Sequence, residues 1–236
     1  MRSSTPVGLT FSSALRTVLG ATAIAFAALG AGGCGSELKY TVDDAAMDPI
    51  PASDRQGVFE AQKDLEIANG EKRTAATQLE SLERDTDVAQ KEKEQAQLEI
   101  EKAVAAQEGA KASRDENQAN AAAHNKDVAD LGLKVSEEKL EWLDQKKDWL
   151  KQTRVAAEAH IEAAKARVEY EKAKVAQQKG VKPSDDFQVS NFESQWKSKN
   201  SDYQSEKKDA ASEEKKTKER EQRWHDLGAQ LQKLRG

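Results

Sequence analysis

The chain has 236 residues, of which 33% are charged, 37% hydrophobic and 5% aromatic, and its formal net charge is −5. An apolar share below the roughly 45–50% of a globular domain excludes a conventional wide core, and an acidic balance excludes a strongly cationic nucleic-acid binder. What remains is disorder or long solvated helices, and hydrophobic periodicity decides between them.

Residues 1–33 carry two charges, Arg2 and Arg16, and no acid. Val18 to Ala31 follow as an apolar run of 14 residues, shorter than the roughly 20 needed to span a bilayer. This is the layout of a secretory signal peptide over 1–33. Leu29-Gly30-Ala31-Gly32-Gly33 then lead into Cys34, the single cysteine of the chain. The stretch resembles the lipobox of bacterial lipoproteins, although that family usually has Leu where Ala31 stands. The resemblance implies that Cys34 is the lipid attachment site, carrying a diacylglyceryl group and palmitate-type acyl chains. Gly35 stands where an Asp would signal inner-membrane retention, so the resemblance also implies the outer membrane. Two other readings stay open: cleavage at Ala25-Phe26-Ala27, leaving a free thiol, and an uncleaved anchor over Thr17 to Ser36.

Residues 34–52 read as a flexible tether, because Asp43, Asp44, Pro49 and Pro51 interrupt any regular pattern. Beyond Pro51 the next proline is Pro183, and the span between them is rich in strong helix formers. Ser53 and Gln56 fit a capping box at the start of a first helix. From Val58 a heptad places Val58, Leu65, Leu79 and Ile100 at a. Its d positions run Ala61, Ala68, Ala75, Leu82, Ala89, Ala96, Ala103 and Ala110, and small residues there let helices approach closely. The frame resumes through Val128, Leu131, Val135, Trp142, Trp149, Ala156, Ala163 and Tyr170. A second apolar row (Leu133, Leu140, Leu143, Leu150, Ile161, Val168, Val175) accompanies it over 128–177. A helix with two seams needs two neighbours. Residues 53–178 therefore read as two coiled-coil helices with a fold-back near 113–126, or as one continuous helix, since neither Gly nor Pro marks that tip.

A turn is expected over 179–184 from Gly180 and Pro183, and a third helix over 185–235, capped by Ser184-Asp185-Asp186. Its seam reads Val189, Phe192, Trp196, Tyr203, Ala210, Trp224, Leu227, Leu231 and Leu234. Folded back about residue 181, residue i lies opposite roughly 363 − i, which brings Trp224 near Trp142. The fold class expected is all-α, an elongated antiparallel coiled coil of three long helices. Local pairs such as Glu60/Lys63, Glu99/Lys102, Glu162/Lys165 and Glu214/Lys218 would line its outer faces.

Chemistry-bearing patterns are scarce. His124, His160 and His225 are scattered without a second ligand at helical spacing, so each reads as solvated surface, with no metal and no cofactor. Glycine-rich loop, nucleophile elbow and HExxH are all missing from the sequence, and an enzyme is not expected. Trp142, Trp149, Trp196 and Trp224 fall on the seams and read either as bundle core or as an interaction seam for a partner helix or peptide. Expected partners are the membrane, through the N-terminal lipid, and an envelope protein or peptidoglycan; nucleic acid is not expected, and homo-oligomerisation is left open. The function expected is a lipid-anchored cell-envelope spacer, scaffold or interaction module, in the periplasm or at the cell surface. The Braun-type murein lipoproteins are similar in being lipidated helices, but they attach to peptidoglycan through a C-terminal lysine, where this chain ends Leu234-Arg235-Gly236. Periplasmic chaperones with coiled-coil arms and the helical adaptors of efflux pumps are the alternatives; both carry β-rich parts for which no segment is evident here.

Overall fold

The computed structural model describes residues 38–236. They form three long α-helices, α1 (Gln56–Ser113), α2 (Glu116–Gln178) and α3 (Val189–Arg235), after two short 3-10 helices at Asp44–Met47 and Ala52–Arg55. At 1.5 Å per residue the 58 residues of α1 and the 63 of α2 make helices of about 90 Å. Consecutive helices run antiparallel. Both α1 and α3 pack along α2, and no α1 residue comes within 8 Å of an α3 residue by Cα. The expected three-helix coiled coil is therefore two antiparallel pairs that share their middle helix.

The alanine seam explains α1. Its buried residues are Val58 and the complete d row from Ala61 to Ala110. One face of α2 meets it, with Leu143, Leu150, Ala157 and Ala164 buried at intervals of seven. Leu82, Leu143 and Leu150 interlock where the seam is widest. Ion pairs flank the seam. Lys72 lies 3.2 Å from Glu158 and Lys93 lies 3.2 Å from Glu137. A slip of one heptad would place Lys72 against Lys151 or Lys165 but Lys93 against Asp130 or Asp144, so these pairs line the seam without selecting its register by themselves.

The turn between α1 and α2 is tighter than the 113–126 window and uses neither Gly nor Pro. Arg114 adopts the left-handed conformation (φ 58, ψ 18) that ends α1. Asp115 then caps α2, accepting from the backbone N–H of Asn117 at 2.9 Å and of Gln118 at 3.2 Å. A non-glycine residue in this region costs roughly 1–2 kcal/mol, and loss of an Asp cap about 1 kcal/mol. Arg114→Gly is thus expected to stabilise the chain by about 1 kcal/mol and Asp115→Ala to destabilise it by about as much, both measurable by denaturant unfolding.

At the other end α2 stops where Gly180 and Pro183 led one to expect. Gly180 has φ +72, and Val181 N–H bonds the carbonyl of Ala176 at 2.9 Å, the 6→1 bond of a glycine-terminated helix. The starts of the helices differ from expectation. α1 begins at Gln56 with no side-chain cap, so the Ser53/Gln56 capping box is not formed. α3 begins at Val189, past Asp185 and Asp186, again without a side-chain cap. Of the local pairs, Glu162–Lys165 (2.9 Å) and Glu214–Lys218 (2.6 Å) are made.

Residues 38–52, read as part of a flexible tether, and 53–55, read as the start of the first helix, fold back onto the bundle as a clasp. Val42, Met47 and Ile50 are each at most 4% exposed and share one apolar cluster with Val58, Val168, Val175 and Phe192. The backbone of Tyr40 is held in both directions by the Gln195 amide, at 3.0 Å each way. Val42 N–H donates to Glu169 at 2.6 Å. Lys172 donates to Asp44 at 2.6 Å and to Glu169 at 2.9 Å. Burial pulls the Lys172 ammonium down, and the hydrogen bonds to these two carboxylates outweigh it and hold it above its ordinary 10.5. Proline and aspartate broke the periodicity in this segment, but Val42, Met47 and Ile50 share one apolar cluster with residues of α1, α2 and α3.

Candidate functional site

The cleft between α1 and α3, floored by α2, gathers the densest set of polar and aromatic side chains. Its floor is a row of α2 residues spaced by seven: Lys139, Lys146, His160 and Arg167, with Thr153 at the centre. α1 faces it with an acidic row of the same spacing: Glu92, Asp85, Glu71 and Asp64, with Gln78 at the centre. Three of these oppositions are measured contacts. Lys139 Nζ lies 2.5 Å from Glu92, His160 Nδ1 lies 2.8 Å from Glu71 and Arg167 Nη1 lies 3.1 Å from Asp64. Each pair of residue numbers totals 231, so a single register satisfies all three.

The far side of the same row meets aromatic rings of α3. Lys139 Nζ lies 5.8 Å from the Trp224 ring, within the range of a cation–π contact. The His160 ring stacks on Tyr203 at 4.3 Å and 6°. Arg167 and Trp196 line one cavity of about 300 Å³ together with Asp64, His160, Asn200 and Tyr203. The two measured α2–α3 contacts of this row each total 363, the value anticipated from folding back about residue 181. His160 is thus not the solvated surface residue its spacing suggested. It is 9% exposed, with Glu71 and the more distant Asp64 (3.5 Å from Nε2) on one side and Tyr203 on the other. His124 and His225 are exposed, as expected.

The four tryptophans do not form one seam. Trp142 stacks on Trp224 at 4.9 Å and 15°, and Trp196 stacks on Tyr170 at 5.4 Å and 7°. Trp149 has no ring partner; it packs beside Leu82 and Leu150 on the α1 side. All four are partly buried. Cys34 lies outside the described residues. Between the aromatic stacks the α2–α3 interface is polar: Gln145 donates to Glu213 at 2.8 Å and Gln152 to Glu206 at 2.6 Å. Arg220 pairs with Glu138 and Glu141, and Thr217, 5% exposed, donates to the Glu213 carbonyl at 2.9 Å. Thr217 completes the α3 row at the place where no apolar residue marked it. The acidic row of α1 and the α2 row that includes His160 repeat every seven residues outside the apolar seams, a pattern the sequence offers; Lys172 and Gln195 have no such signal, since each is defined by side chains from distant segments.

In this cleft carboxylates of α1 hold Lys139, His160 and Arg167, and Lys139 and His160 lie against rings of α3, an arrangement suited to fixing helices in place. Among the described residues no group of three His, Cys, Asp or Glu side chains is disposed to hold a metal ion, and no helix is long and apolar enough to cross a membrane. The class these features define is an all-α domain of three long antiparallel helices sharing a central one. No protein-family model, curated protein or solved structure matches the chain.

Proposed function

We propose that this is a lipid-anchored protein of the bacterial cell envelope, a spacer or scaffold and not an enzyme, joined to the outer membrane through Cys34. The observation that carries the reading is the α1–α2 hairpin itself, two helices of about 90 Å packed along an alanine seam and joined by ion pairs on both sides of it. Such a hairpin resists sliding and bending and holds its two ends a set distance apart. The clasp adds a second support. Five residues lie between Cys34 and Tyr40, so the two reach at most about 20 Å apart. A lipid on Cys34 would then hold the clasped end near the membrane and leave the Arg114 tip free to meet an envelope protein or peptidoglycan. Two or more acyl chains make such attachment stable, whereas one binds reversibly.

Metabolic labelling with a lipid precursor tests the anchor. Wild-type chain is expected to be labelled and recovered with the outer membrane, and Cys34→Ser to be unlabelled; equal labelling would refute the anchor. A paired deletion of 93–99 and 132–138 tests the spacer, because it keeps the remaining α1–α2 pairs in register while shortening the hairpin by about 10 Å; it alters the α2–α3 contacts only beyond Trp224 and at Arg220. Photo-crosslinks from Lys111 at the tip are expected to shift or vanish, and those from Lys182 at the clasped end to persist. Unchanged crosslinks at both ends would argue against a role in spacing.

A further inference from the structure

The backbones of α1 and α3 stay more than 8 Å apart by Cα, yet both helices press on the same side chains. Lys139 is bound by Glu92 of α1 and lies against Trp224 of α3. His160 is bound by Glu71 and stacks on Tyr203. Arg167 is bound by Asp64 and shares its cavity wall with Trp196. We infer that this row of Lys139, His160 and Arg167 is a coupling device: the docking of α3 on α2 depends on the acids of α1, and the docking of α1 depends on the rings of α3.

The physical basis is the cost of ordering. A free lysine, arginine or histidine on a helix surface explores several rotamers, and holding it against a ring gives up that freedom. A carboxylate that already holds such a side chain has met this cost, so the aromatic residue docks onto a group in place. The His160 ring shows the geometry most clearly, since it meets Glu71 through Nδ1 at 2.8 Å while its face lies 6° from parallel with Tyr203. Because linkage is reciprocal, the same coupling acts from α3 to α1. The row is neutral at its centre, Gln78 opposite Thr153, which divides the device into a proximal part at His160 and Arg167 and a distal part at Lys139. Whatever binds or displaces α1 would thereby loosen α3 without reaching it. This inference is independent of the lipid anchor and the spacer role.

Peptide-resolved amide hydrogen exchange on the full chain tests it. The variant Glu71→Gln/Glu92→Gln is expected to speed exchange in α3 between Trp196 and Trp224 about 5–10-fold. The comparison is Lys72→Gln/Lys93→Gln, which removes two α1–α2 ion pairs with Glu158 and Glu137. Those glutamates precede His160 and Lys139 by two residues, about 200° around α2, and face away from the cleft. This variant is expected to speed exchange in α1 while leaving α3 within twofold of wild type. In a Tyr203→Leu/Trp224→Leu background the acid substitutions are expected to have no further effect on α3. Unchanged α3 exchange in the acid variant would overturn the inference. So would an equal rise in both variants, which would mean general destabilisation, or an undiminished effect when the rings are gone.

Discussion

Leu150→Ala is expected to destabilise the chain by about 3 kcal/mol, and Leu143→Ala by about as much, in denaturant unfolding followed by helical circular dichroism. Large-to-small changes at buried leucines cost roughly 2–5 kcal/mol, depending on how far the site can collapse. Here collapse is hindered. The α1–α2 seam is alanine along most of its length, so the helices already sit close together, and Leu82, Leu143 and Leu150 fill its one wide stretch. Leu143 and Leu150 are the largest side chains that are almost fully enclosed. Their flanking alanines cannot move inward to fill a gap. The double variant is expected to separate α1 from α2 over the middle of the hairpin. A cost below about 1 kcal/mol for each substitution would mean that the two helices do not pack along this face.

The second large effect is expected at Lys172. Its side chain is 11% exposed, and its partner Glu169 is 13% exposed. Lys172→Ala leaves Glu169 with the Val42 N–H as its remaining clasp contact and removes the link to Asp44. Breaking a buried pair by deleting one partner costs roughly 3–5 kcal/mol. Asp44 is 88% exposed, which places this pair at the lower end, about 3 kcal/mol. The pH dependence follows from the raised ammonium. A group whose folded value is raised contributes fully below its unfolded value of 10.5 and loses that contribution as pH climbs through the folded value. A nitroxide at Ala46 is thus expected to stay restrained up to pH 10.5 and to become mobile above it. In Lys172→Met the step in that window is expected to be missing. A step of the same size in Lys172→Met would assign it to another group.

The sequence carried the parts of this fold that are periodic. Ala61 through Ala110 could be placed on one seam because the repeat runs unbroken, and the two apolar rows after Val128 foretold a helix with two neighbours. The approximate α2–α3 register was also accessible, since lengths and large residues on both sides had to match about Gly180. What escaped is local or multi-segment. The Arg114-Asp115 turn lacks Gly and Pro, because an arginine takes the left-handed conformation and an aspartate supplies the cap. The clasp was hidden because Val42, Met47 and Ile50 obey no helical or strand period and converge only when α1, α2 and α3 come together. His160 was misplaced for a related reason. Its neighbours Glu71 and Tyr203 are 89 and 43 positions away, and only the superposition of two registers on α2 brings them together.

The hairpin is the feature on which the spacer, the coupling row and the seam energetics all depend. It is tested most directly by dipolar spectroscopy between spin labels at Lys63 and Lys165 in a Cys34→Ser background, with labelled chains diluted tenfold into unlabelled ones. Antiparallel pairing within one chain places the two labels on adjacent helices, with an expected distance of about 20–30 Å that dilution does not change. A continuous helix through residue 114 would put them about 150 Å apart. Absence of the short distance, or its disappearance on dilution, would contradict the fold.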